Sequence, residues 1–135
     1  MAKYLMLKHY RGPKANLEHA AGDTWTPEEW DAHIQYMNDF ADRLRGTGEY
    51  VDSTALAMDG VWVRFDGAGN PPLTDGPFAE TKDLVAGWMM IDVDSYERAL
   101  ELAAELSAAP GGGGKPTREW LELRPVMEEA PAAID

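Results

Sequence analysis

The chain has 135 residues, 24 acidic and 12 basic side chains, a formal net charge of −12 and 44% hydrophobic residues. This suits one domain with a real core. The charge argues against a nucleic-acid surface and disfavours an anionic membrane as partner, because phosphate binding draws its strength from clustered Lys and Arg. There is no cysteine, so disulfides, thiolate nucleophiles and Cys-based metal sites are excluded, as suits a cytoplasmic protein. The apolar stretch after Lys3 is too short for a signal-peptide core, and no run reaches membrane-spanning length.

Residues 3–10 alternate as a strand, with Tyr4, Met6, Lys8 and Tyr10 on one face and Leu5, Leu7 and His9 on the other. Residues 11–25 lack a steady period and read as a loop. A helix then starts sharply: Thr26 can cap it, Pro27 suits its first position and Glu29 completes a capping box. Trp30, His33 or Ile34, Met37, Phe40 or Ala41, and Leu44 recur at helical spacing, and Gly46 and Gly48 end the helix.

Residues 49–56 and 61–65 read as two strands, and Met58-Asp59-Gly60 between them predicts a hairpin. The glycine- and proline-rich residues 67–72 read as a loop. Residues 84–93 are the most apolar segment and are expected to form a central strand buried on both faces. A second helix is expected after an Asp94 cap, with Tyr96, Ala99, Leu100, Ala103 and Leu106 as its apolar stripe. Pro110 and the four glycines after it stop that helix. Residues 118–124 give a last strand, and residues 128–135 an acidic tail expected to be disordered.

The order β-α-β-β-β-α-β puts two helices on one face of a mainly antiparallel sheet. That is the α+β, ferredoxin-like plan, βαββ(β)αβ, over residues 1–127. Its other face would carry Tyr4, Met6, Tyr10, Trp62 and Trp88. An uncovered aromatic face is a liability in a monomer, so a homodimer that stacks two such faces is expected.

Between the third and fourth strands lies Thr74-Asp75-Gly76-Pro77-Phe78-Ala79-Glu80-Thr81-Lys82-Asp83. Proline fixes φ at Pro77, so this charged bend is stiff. The run resembles the D-G-P-F signature of the YCII-related (DGPF-domain) family. Lys3-Tyr4-Leu5-Met6-Leu7, Leu44-Arg45-Gly46 and Glu122-Leu123-Arg124-Pro125 fit the same pattern. The resemblance implies a dimeric α/β barrel and a helical His working beside an Asp. It also implies association with alternative sigma factors, and hence a possible regulatory role.

Asp75 is the first candidate for a general base or polar anchor, although Asp at a turn also bonds its own backbone. Lys82 is its candidate electrostatic partner, and Glu80 and Phe78 complete the bend. Each of the charged pair also reads as one half of an exposed ion pair. His33 is a candidate proton-transfer group on the first helix, or else a structural imidazole. Arg64 shares a strand face with Trp62 and could bind an anionic group. His9 at a strand end and Trp88 on the central strand are further ligand candidates. His19 carries no assignment.

No His-x-x-x-His pair exists, so no metal site is expected. Gly111 to Lys115 imitates a phosphate loop but fails its spacing and order, and reads as a hinge. The function expected is a small-molecule pocket, enzymatic or not, with cofactor-independent acid/base chemistry. A non-catalytic accessory protein and a cofactor-free dimeric-barrel oxygenase are the alternatives.

Overall fold

The computed structural model describes residues 2–9, 25–57, 60–75 and 85–128. Six strands and two helices follow in the order β1 (Ala2–His9), α1 (Pro27–Thr47), β2 (Tyr50–Ala55), β3 (Trp62–Arg64), β4 (Leu73–Asp75), β5 (Val85–Val93), α2 (Tyr96–Ser107) and β6 (Leu121–Pro125). A short 3₁₀ turn, Gly112–Gly114, lies between α2 and β6. Four strands form one sheet in the order β2-β5-β1-β6, and every neighbouring pair is antiparallel. That is the α+β, ferredoxin-like arrangement.

The first helix begins as its sequence dictates. The Thr26 side chain accepts from the Glu29 amide, and the Glu29 carboxylate accepts from the Thr26 amide at 2.8 Å. Gly48 closes the other end in the left-handed conformation, with φ of 82°. His33, Phe40, Ala41 and Leu44 are its buried stripe. Phe40, Ala41 and Leu44 meet Met6, Met89, Ile91, Val93, Ala99, Leu102 and Leu106, so the core lies between the sheet and both helices. Burying each large aliphatic chain there contributes about 2 kcal/mol.

Several expectations need correction. Tyr4 and Met6 do share a face, but it is the one beneath the helices: Met6 is fully buried there and Tyr4 packs against the same core. Alternation tells which residues share a face, not which face the helices cover. Residues 50–55 do not form a hairpin with the following strand. β2 pairs with β5 instead, while β3 pairs with β4 in a separate two-stranded sheet that places Trp62 opposite Asp75.

The second helix is capped by Ser95, whose hydroxyl accepts from the Arg98 amide, not by Asp94. Its stripe is also rotated: Ala99, Leu102 and Leu106 are buried, while Tyr96 and Leu100 are exposed. Arg98 explains the rotation, because its guanidinium forms two bonds to Glu49, at 2.8 and 3.0 Å, and pins that side of α2 to the start of β2. The expected central strand is β5, but it is buried on the helix side alone: Gly87, Met89, Ile91 and Val93 are buried, while Trp88, Met90 and Asp92 on the uncovered face are half-buried. Gly87 within it is set by close approach, since a Cβ there would stand 2.9 Å from the Thr54 carbonyl oxygen of β2.

Candidate functional site

A cavity of about 430 Å³ lies between α1 and the β2–β5–β1 part of the sheet. Its apolar lining includes Met6, Met37, Met89, Trp30, Leu106 and Leu121. Register brings them together: Met6 of β1 stands directly across from Met89 of β5 and from Leu123 of β6. Into this lining project three groups with proton or charge chemistry, Lys8, His33 and Glu119.

His33 is the better defined of the three. Its side chain is only 5% exposed. Its Nδ1 lies 2.9 Å from the Pro110 carbonyl oxygen, which can only accept, so Nδ1 carries the proton. In the neutral ring Nε2 is then an acceptor. The rings of Trp25 and Trp30 flank it at centroid distances of 5.0 and 6.0 Å. Burial among these rings holds the imidazole pKa below its ordinary value of 6.5, and the positive charge of Lys8 pushes the same way. The Pro110 carbonyl and the Glu119 carboxylate act in the opposite direction and do not prevail. A fixed tautomer with a depressed pKa is a neutral ring whose Nε2 accepts a hydrogen bond but takes a full proton less readily than a free imidazole.

The loop that holds His33 is itself fastened to α1. Glu29 accepts from the Gly113 amide as well as from Thr26. The indole of Trp25 lies against Gly112. The glycine run read as a hinge is thus a latched turn in the structure, with Gly113 and Gly114 at positive φ.

Lys8 and Glu119 form an ion pair at 3.1 Å, with the Glu119 side chain almost fully buried. The segment carrying Glu119 passes through Arg118, at φ of 53° the one non-glycine residue with positive φ among the described residues. Such a conformation costs on the order of 1–2 kcal/mol and persists only where its surroundings enforce it. Here the C-terminus of α2 does so. The Ser107 carbonyl accepts from the Arg118 amide at 3.0 Å and from the Thr117 hydroxyl at 3.1 Å, and the Ser107 hydroxyl donates to the Glu119 carbonyl. Arg45 also borders the cavity, but Asp42 holds it at 2.6 Å and its guanidinium lies over Tyr50.

Of the residues singled out from sequence, the cavity gathers His33 and, at its border, Trp88. Trp88 stands across from Leu7, so its side chain alternates away from the Met6 face. His9 lies past a register shift at which Ala86 of β5 is the extra residue, with its Nε2 3.0 Å from Glu122, and does not line the cavity. Asp75 ends β4 and Arg64 ends β3. Both are exposed, and neither is in the lining. Phe78, Glu80 and Lys82 lie outside the described residues, as do Tyr10 and the tail beyond residue 128. Among the described residues no group of three or more His, Cys, Asp and Glu could hold a metal ion, and no helix is long and apolar enough to cross a membrane.

Lys8 and Glu119 were not foreseen. A lone Lys on a strand face shared with Tyr4 and Met6 was a signal for the first. Nothing local marks the second, because β6 brings it to Lys8 from 111 positions away.

A YCII-related domain model matches residues 2–118. An uncharacterized protein of Rhizobium meliloti (strain 1021) is 37% identical over 94 residues, covering 70% of this chain and 68% of that protein.

Proposed function

The chain belongs to the YCII-related domain family, and from that premise we propose that it binds a small molecule in the cavity between α1 and the sheet, with cofactor-independent acid/base chemistry centred on His33. The observation that carries this reading is a neutral, tautomer-fixed imidazole lining an apolar cavity of about 430 Å³. That volume lies within the range of small-molecule sites, which are apolar with a few placed polar groups.

Asp75 enters the proposal through a homodimer. The β3–β4 hairpin and its flanks expose Val61, Trp62, Val63, Phe65 and Leu73, and Phe65 is 79% accessible. So much exposed apolar surface on one small element favours a cover, and a second copy is the cover we propose. Asp75, opposite Trp62 in this hairpin, becomes an enclosed carboxylate only across such a contact. Arg64, Lys82, Glu80 and Phe78 belong with it as proposed ligand contacts at the subunit boundary, in a cytoplasmic dimer.

The test is a fluorescence screen of neutral aromatic compounds, read through Trp30 in the lining, against the wild type and Ala41→Phe. Ala41 borders the cavity, so the larger ring fills it. Saturable binding that Ala41→Phe abolishes is the expected result. Binding that survives the filled cavity, or none at all in a broad screen, refutes the reading.

A further inference from the structure

We infer that the cavity selects a neutral, weakly acidic ligand, such as a phenol or an enol, over a ligand that arrives already charged. The inference rests on the small-molecule reading above and names the class of molecule. It follows from how the charges in the lining are paired.

The cavity has one cationic group near His33, the ammonium of Lys8, and that charge is already matched by Glu119 at 3.1 Å. Arg45 is matched by Asp42. An entering carboxylate would therefore compete with a carboxylate that is already in place. It would also lose its hydration in an apolar lining without gaining an unmatched cation, and burying a charge on those terms costs several kcal/mol. A preformed ammonium meets the converse problem, since Glu119 is taken.

A neutral hydroxyl meets neither obstacle. Its apolar body suits Met6, Met37, Met89 and Leu121. Its O–H can donate to His33, whose Nδ1 proton is committed to Pro110 and whose Nε2 is the acceptor in the neutral ring. The proton stays on the ligand oxygen, because burial disfavours the imidazolium, so the complex forms without placing a new charge in the lining. Glu119 thus acts as a selectivity element. The enforced Arg118 backbone and the Ser107 bonds hold its segment in place.

The experiment compares para-nitrophenol with para-nitrobenzoate, two probes of similar size, on the full chain at a pH where free nitrophenol is mostly protonated. Occupancy is read by Trp fluorescence and ionisation by the visible phenolate band. The wild type should bind nitrophenol roughly tenfold or more tightly than nitrobenzoate, with no growth of the phenolate band on binding. Glu119→Gln, which releases Lys8, should raise nitrobenzoate affinity by about tenfold and narrow or reverse the preference. His33→Leu, which removes the acceptor, should weaken nitrophenol binding by about tenfold.

A wild type that prefers nitrobenzoate overturns the inference. So does a preference unchanged in a folded Glu119→Gln, or a phenolate band that grows on binding. If Glu119→Gln does not fold, the wild-type preference still decides. If neither probe binds while other neutral compounds do, the ligand class is wrong and the cavity reading stands. If no compound binds, both fail.

Discussion

The wall of the cavity and the β3–β4 hairpin are built on opposite terms. The wall is complete within one chain: α1 is capped at both ends, its stripe is buried, and its His33 and Glu29 are fastened to the turn after α2. The hairpin and its flanks carry five large apolar residues and leave them uncovered, with Trp62 and Phe65 62% and 79% exposed. The first region needs nothing further to set a proton acceptor in place. The second has apolar surface with no use in a single chain. The proposed chemistry belongs to the wall and the proposed assembly to the hairpin, although the hairpin holds the first residue of the D-G-P-F signature.

The largest contrast should appear on truncating one residue from each region. Leu44 is fully buried under the sheet, so Leu44→Ala should cost about 2–5 kcal/mol in denaturant unfolding. Trp62→Ser with Phe65→Ser should leave the fold of the chain within about 0.5 kcal/mol per site, as exposed substitutions do. It should also convert a species of twice the 14.9 kDa chain mass into one of that mass in light scattering. A double variant that remains dimeric breaks the assignment of the hairpin.

A smaller effect is expected at the start of α1. Thr26→Ala removes the cap and should cost about 1 kcal/mol. Glu29→Ala, which removes the carboxylate that accepts from both the Thr26 amide and the Gly113 amide, should in addition weaken ligand binding. An unchanged affinity in Glu29→Ala would show that the latch and the cavity are independent.

The smallest effect is a pH dependence. Folded His33 titrates below 6.5, so as pH falls through that value the unfolded chain takes up a proton that the folded one refuses. Stability contributed by the neutral buried ring is fully present above 6.5 and declines as pH drops towards the folded pKa. His33→Gln should flatten that part of the stability profile. A profile identical to the wild type would place the titration elsewhere.

The local features of the molecule were legible in the sequence. Thr26, Pro27, Glu29 and Gly48 mark the ends of α1 because capping is short-range chemistry. The apolar run of β5 marks a central strand, although only the face of Gly87, Met89, Ile91 and Val93 is buried and Trp88, Met90 and Asp92 opposite are half-buried. What failed was long-range. An Asp-Gly signal could not show that residues 50–55 would prefer β5 to their sequence neighbour. Nor could strand periodicity show that the helices cover Met6 rather than Leu7. Of the site, His33 was visible as a lone imidazole on a buried stripe. Its partners were not, because Pro110, Lys8 and Glu119 reach it from other elements.

The central claim is that His33 rests as a neutral imidazole protonated at Nδ1. Nitrogen-detected NMR of the imidazole across a pH titration measures this directly. The account predicts the Nδ1–H tautomer and a midpoint below 6.5. An Nε2–H tautomer, or a midpoint above that value, would contradict it.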